Sequence, residues 1–235
     1  DVRKETNIAF GILCERYLKE HAALHKKPRS FQRNEASTKV LKAFFGETTP
    51  AKQIQLVDVS GFIVQRKEQG KSPYTINSEV AHLSHLFTWA GKLRLVAHHP
   101  VKGIGYLKVK PKERYLSREE IRLLLAACTG DLRDLVLLSL GTGMRATEVL
   151  TIDRDHTDLK HGTVTLVDTK NGDRRLVPLP SEVVAMLQHR PVPIREWFPQ
   201  WNLDRLMHVF VALVRKTDLA GTGVSFHTLR HSFAT

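Results

Sequence analysis

Thr163-Val164-Thr165-Leu166-Val167, then the turn Lys170-Asn171-Gly172-Asp173, then Arg174-Arg175-Leu176-Val177-Pro178-Leu179: the fold turns on how this stretch is read. Two β-rich runs joined through Asn-Gly are the strongest short-range signal for a β-hairpin, because that pair accepts the positive φ of a tight antiparallel return. Around the hairpin, apolar residues recur at helical intervals. The expected fold class is therefore mainly α with a small antiparallel β-sheet, an N-terminal helical bundle being followed by an α+β domain.

Upstream of the hairpin, Ser117 and Glu120 form a capping box that opens a helix with Ile121, Leu124, Leu125 and Cys128 on one face. Asp131 to Leu140 is apolar on more than one side, as a central helix is. A turn at Gly141-Thr142-Gly143 leads into a short helix from Met144 to Leu150, with Arg145 and Glu148 close enough at i,i+3 to interact. This turn is no phosphate loop, since it lacks the Gly-Lys-Ser/Thr ending and a preceding strand. Downstream, Ser181 to Gln188 and Leu203 to Lys216 return to helix, and His227 to Thr235 opens another.

The first half reads as four helices. The first runs from Asn7 to His25 with Thr6 as N-cap and ends at Pro28; Ser30 caps a second, which Gly46 stops. A third covers Val57 to Gln69, and the fourth runs from Ser72-Pro73 through Ile76, Val80, Leu83, Leu86, Phe87 and Trp89-Ala90 to Gly91. From Lys102 to Arg114, basic residues mix with two glycines and a proline without sustained period, which marks a linker. The domains expected are residues 1–101, a basic linker 102–114, and 115–235.

Of the 235 residues, 42% are hydrophobic and 26% charged, which excludes a disordered tail or a collagen-like repeat. No apolar run is long enough for a membrane helix and the first residues lack a signal peptide's apolar stretch, so a cytoplasmic protein is expected. Cys14 and Cys128 sit in apolar helical patterns without metal-ligand spacing and are expected to be buried thiols. The net charge of +12 is unevenly spread. Residues 1–114 carry 21 basic and 10 acidic side chains, and residues 115–235 carry 15 and 14. A first half at +11 points to a polyanionic partner, and charges scattered over about a hundred residues suit nucleic acid better than a membrane surface. Candidate DNA contacts are Thr75, Asn77, His82, His85 and Lys92 on polar faces of the fourth helix, with Lys108, Lys110 and Lys112 in the linker.

Arg145 after a glycine turn, Lys170 on a hairpin tip, and His227 with Arg230 on one helix are each unremarkable as an ion pair, a turn residue or a helix cap. Together they form a set of fixed cations with one acid–base group, which is what a phosphodiester transition state requires.

Gly141-Thr142-Gly143-Met144-Arg145-Ala146-Thr147-Glu148-Val149-Leu150, Lys170 in its hairpin, and His227-Thr228-Leu229-Arg230-His231-Ser232-Phe233-Ala234-Thr235 resemble the tyrosine recombinases, specifically the phage-type integrases. The first half is similar to that family's helical core-binding domain, which makes the second half its catalytic domain, C-terminally incomplete. The resemblance implies a two-domain clamp on double-stranded DNA recombination sites and a reaction without metal or other cofactor. In it a tyrosine attacks the scissile phosphate to give a 3′-phosphotyrosine and a free 5′-hydroxyl. It assigns Arg145 and Arg230 to the phosphoryl oxygens, Lys170 to the leaving oxygen and His227 to the phosphate or to proton transfer, with Glu148 and His231 supporting. A homotetramer on DNA, a monomer or weak oligomer off it, accessory DNA-bending or directionality proteins, no membrane partner and a bacterial or phage origin follow from the same resemblance.

The sequence departs from the family in one respect. Its tyrosines are Tyr17, Tyr74, Tyr106 and Tyr115, all ahead of Arg145. The family's nucleophile follows the His-x-x-Arg helix, so the 235 residues do not hold a complete active site, and a further C-terminal segment and an N-terminal arm-binding piece are expected. The alternatives are a non-catalytic DNA-binding or regulatory protein on the same scaffold, and a type IB topoisomerase.

Overall fold

The computed structural model describes residues 7–110, 114–167, 174–190 and 195–233. The chain forms two compact units, Asp1–Pro111 and Lys112–Thr235.

The first unit is helical. α1 (Phe10–Tyr17) continues through a π-helical turn at Leu18–Ala22 into α2 (Ala23–His25), and α3 (Pro28–Phe45), α4 (Leu56–Glu68) and α5 (Pro73–Lys92) complete it. Its centre is aromatic: Phe10 stands edge-on to Phe45 at 5.5 Å and stacked with Phe87 at 6.4 Å, and Phe62 stacks on Phe45 at 5.9 Å. A buried ion pair binds α4 to α5, with Arg66 Nε donating to Glu79 Oε2 at 2.8 Å and Nη2 to Oε1 at 2.6 Å. The bidentate geometry pairs both charges where little water reaches them.

Several helix ends differ from the sequence reading. Thr6 lies outside the described residues, and α1 starts only at Phe10. Phe10 N donates to Thr49 O and Ala51 N to Ile8 O, so residues 8–9 pair with an extended neighbour instead of coiling. Ser30 is no cap. Pro28 takes the first turn of α3 with Lys27 before it, where a fixed φ and a missing N–H cost nothing. α5 starts at Ser72-Pro73 as expected, Ser72 capping it by accepting from Thr75 N at 3.2 Å, and the helix passes through Gly91 to Lys92.

The second unit comprises α6 (Arg118–Ala127), α7 (Gly130–Thr142), α8 (Ala146–Thr151), β1 (Thr157–Asp158), β2 (Thr163–Leu166), β3 (Arg175–Pro178), α9 (Ser181–His189), α10 (Leu203–Val214) and α11 (Phe226–Phe233). The capping box of α6 is formed as read, and Arg114, the last residue of the expected linker, pairs with Glu120 within this unit. α7 is central, burying Leu132, Leu135, Val136, Leu138, Ser139 and Thr142. It continues through Gly141 and stops at Gly143, whose φ of +61° is the left-handed conformation glycine adopts without strain. The hairpin is antiparallel with Val164 opposite Val177 and Leu166 opposite Arg175, and β1 adds a third strand the sequence reading did not include. Val164, Leu166 and Val177 face the core while Leu176 points outward, the alternation a one-sided sheet requires. Residues 168–173, with Lys170, lie outside the described residues.

Candidate active site

Arg145 is the residue immediately before α8, not part of it. Its extended backbone turns the peptide N–H toward Glu148, three residues on, and that N–H donates to Oε2 at 2.8 Å while the side-chain Nη1 donates to Oε1 at 2.7 Å. One carboxylate thus caps the helix and fixes the guanidinium of its own cap residue. The hairpin brings a second arginine to it, Arg175 Nη2 donating to Glu148 Oε2 at 3.1 Å. α11 brings a third: Arg230 Nη1 lies 3.8 Å from the same oxygen and donates at 2.6 Å to the carbonyl of Gly143.

The Glu148 side chain is 6% exposed, against 43% for Arg145, 42% for Arg175 and 28% for Arg230. The anion is therefore interior and the cations face outward. Three guanidiniums over one carboxylate leave a local excess of positive charge. Burial works to raise the Glu148 carboxyl, but the bonds from the Arg145 N–H and guanidinium and the charge of Arg175 hold it below the usual range. Arg230 is pulled down by burial and then by the charge of Arg145, with Arg175 adding to the repulsion. Crowded cations of this kind stabilise an anion placed among them.

His227 and His231, one turn apart on α11, stand edge-to-face at 4.6 Å. Burial, followed by the charges of His231, Arg230 and Arg145, lowers the His227 pKa, which favours a neutral imidazole at pH 7. Tyr115 is edge-on to His231 at 6.3 Å, whereas Tyr17 is fully buried in the first unit. Among the described residues no group of three or more His, Cys, Asp or Glu is placed to hold a metal ion.

The structure thus brings Arg145, Glu148 and Arg230 together, with His227 and His231 on the helix that carries Arg230. Lys170 falls outside the described residues. Arg175 was missed. Its signal was its phase, two positions from Val177 on the inward side of β3.

The residues singled out for nucleic acid fare unevenly. His85, Lys92, Lys108 and Lys110 are exposed, and Thr75 is spent on the cap of α5. Asn77 turns inward, its Nδ2 donating to Leu107 O at 2.8 Å and its Oδ1 accepting from Leu107 N at 2.9 Å. His82 does not lie on a polar face: it is buried 2.8 Å from Thr38 Oγ1, because α5 packs against α1, α3 and α4 and its buried arc is wide. Burial, then the charges of His85 and Lys26, push its pKa down to about 4. Lys112 lies outside the described residues.

Residues 114–193 match the model of the phage integrase family. The chain is 35% identical over 179 residues to the integrase of Escherichia phage P2, an alignment covering 75% of this chain and 51% of the phage protein. It is 26% identical over 216 residues to tyrosine recombinase XerA of Thermococcus kodakarensis, covering 71% of this chain and 76% of that protein. Its fold is similar to that of a lambda integrase dimer bound to a COC′ core site, with a TM-score of 0.82 at 15% identity over 98% of this chain and 70% of that one. The chain spans about half the length of the phage P2 protein.

Proposed function

The chain belongs to the phage integrase family of tyrosine recombinases, and from that premise we propose that it cuts and rejoins double-stranded DNA at specific sites through a 3′-phosphotyrosine. The observation that carries this reading is the Glu148 cluster, in which one interior carboxylate aims several guanidiniums outward beside a neutral histidine. A phosphodiester under in-line attack gains negative charge on its non-bridging oxygens. Arg145 and Arg230 meet that charge with forked N–H donors, supplying fixed positive charge from the protein itself. His227 hydrogen-bonds the phosphate or relays a proton, His231 supports it, and Lys170 protonates the departing 5′-oxygen. Glu148 keeps Arg145 in its rotamer. The attacking hydroxyl, on this reading, belongs to none of Tyr17, Tyr74, Tyr106 and Tyr115.

His85, Lys92, Lys108, Lys110 and Lys112 serve backbone affinity; Asn77 and His82 do not. The working form is a homotetramer on paired DNA sites, monomeric or weakly associated off them and assisted by DNA-bending or directionality proteins.

The test uses the complete gene product and a nicked duplex selected for binding from a randomised pool. A covalent protein–DNA adduct that resists denaturation should form in EDTA and disappear in Arg230→Ala. An adduct that needs divalent metal would overturn the metal-free mechanism. Tight binding with no adduct would replace the enzyme by a DNA-binding protein on the same scaffold.

A further inference from the structure

The geometry points to Arg175 as a positioning residue that keeps Glu148 from neutralising Arg230. This rests on the phosphoryl-transfer reading above and adds a device to it.

Glu148 Oε2 is contested. It already accepts from Arg145 N at 2.8 Å, and Arg175 Nη2 takes its remaining capacity at 3.1 Å. Arg230 Nη1, 3.8 Å away, is beyond hydrogen-bond reach and donates to the neutral carbonyl of Gly143 instead. Donating to a neutral carbonyl leaves the field of Arg230 and its other donors available to a ligand, whereas direct contact with a carboxylate would offset part of that field. With Arg175 absent, the nearest anionic acceptor for Arg230 among the described residues is the vacated side of Oε2, and closing about an ångström makes that pair. Arg230 would then turn from the Gly143 carbonyl toward a carboxylate that Arg145 already occupies, and its hold on a ligand would weaken.

Two further features favour this division over a merely structural bond. Arg175 is as exposed as Arg145, so the fold gains little by burying it. It also starts β3, which ties that strand to the carboxylate that α8 and α11 share. Strand, helix cap and catalytic helix are thereby set against one side chain.

The test reads the anion site without needing DNA or a nucleophile. Inorganic phosphate is titrated into the 235-residue chain while the guanidinium Nε–Hε resonances of Arg145 and Arg230 are followed by NMR, with thermal melts run in parallel. Phosphate should shift both resonances, and Arg175→Leu should weaken phosphate binding at least tenfold, mainly at Arg230. Adding Glu148→Gln to Arg175→Leu should bring the Arg230 Nε–Hε response to phosphate back toward that of the parent, while the Arg145 response stays weakened, because the amide no longer captures Arg230. A structural role gives no such rescue. If Arg175→Leu does not fold, Arg175→Lys serves, with a smaller loss and the same rescue. Unchanged phosphate binding in the single variant, or a double variant no better than the single, overturns the proposal. A chain that binds phosphate in this manner but whose complete product forms no adduct overturns the recombination reading alone. Adduct formation that is indifferent to Arg175 overturns this inference alone.

Discussion

Lysine can replace the charge of Arg145 or Arg230 but not the fork. Each guanidinium here holds a protein acceptor, Glu148 for one and the Gly143 carbonyl for the other, while retaining further N–H groups in the same plane. An ammonium has one point of charge and a loose direction. We expect Arg145→Lys or Arg230→Lys to leave duplex affinity within about threefold, since many cations share it, and to slow adduct formation by about 100-fold or more. Filter binding and denaturing gels on the same samples check the split, and equal losses in both would refute it. The residues behind this prediction were legible in the sequence, because the Arg145–Glu148 spacing and the His227–Arg230 pair are local patterns. Arg175 was not, because its partner is 27 residues away and only the strand register brings it in. His82 was misread for a related reason: periodicity marks the centre of a buried face, but its width depends on how many neighbours pack there.

The junction of α7 with α11 is where element geometry bears on chemistry. Gly143 ends α7 at φ +61°, and a Cβ there would stand 2.9 Å from Cγ of Phe233 on α11. Gly143→Ala should therefore cost about 1–2 kcal/mol from backbone strain alone, with more from displacing Phe233. It should also turn the carbonyl that Arg230 uses, so that activity falls further than stability accounts for. Calorimetry beside adduct assays measures both, and Phe233→Ala in the Gly143→Ala background should recover part of the stability. A melt unchanged by Gly143→Ala would show that the strain is absent. The elements themselves were readable almost throughout. Capping boxes and Asn-Gly are signals within a few residues, whereas the errors at residues 8–9 and β1 arose where the partner was distant or the strand only two residues long, and the one at Ser30 because Pro28 takes the first turn of α3.

Across the whole molecule, acid acts on the first unit through a buried histidine. His82 is neutral in the folded first unit with its pKa depressed to about 4, against about 6.5 in the unfolded chain. Between those values the unfolded chain binds more protons, so stability is full above pH 6.5 and declines as pH falls, by about 3 kcal/mol at pH 4. His21, lowered by burial and then by its neighbours' positive charges, adds in the same direction. Hydrogen exchange at pH 7 and pH 5 should show protection lost in the first unit, and His82→Gln, which keeps a partner for Thr38, should flatten that dependence. Equal pH sensitivity in the variant would assign the effect elsewhere. The basic stretch between the units has a different consequence. Asn77 clasps Leu107 within the first unit, and Arg114 is held by Glu120 within the second, so the two units are anchored at positions only seven residues apart in sequence. For a ligand long enough to engage both units, capture by one converts capture by the other from a bimolecular search into an intramolecular one, at an effective concentration on the order of millimolar. A ligand of that length is then held by both units together even where either alone binds it weakly.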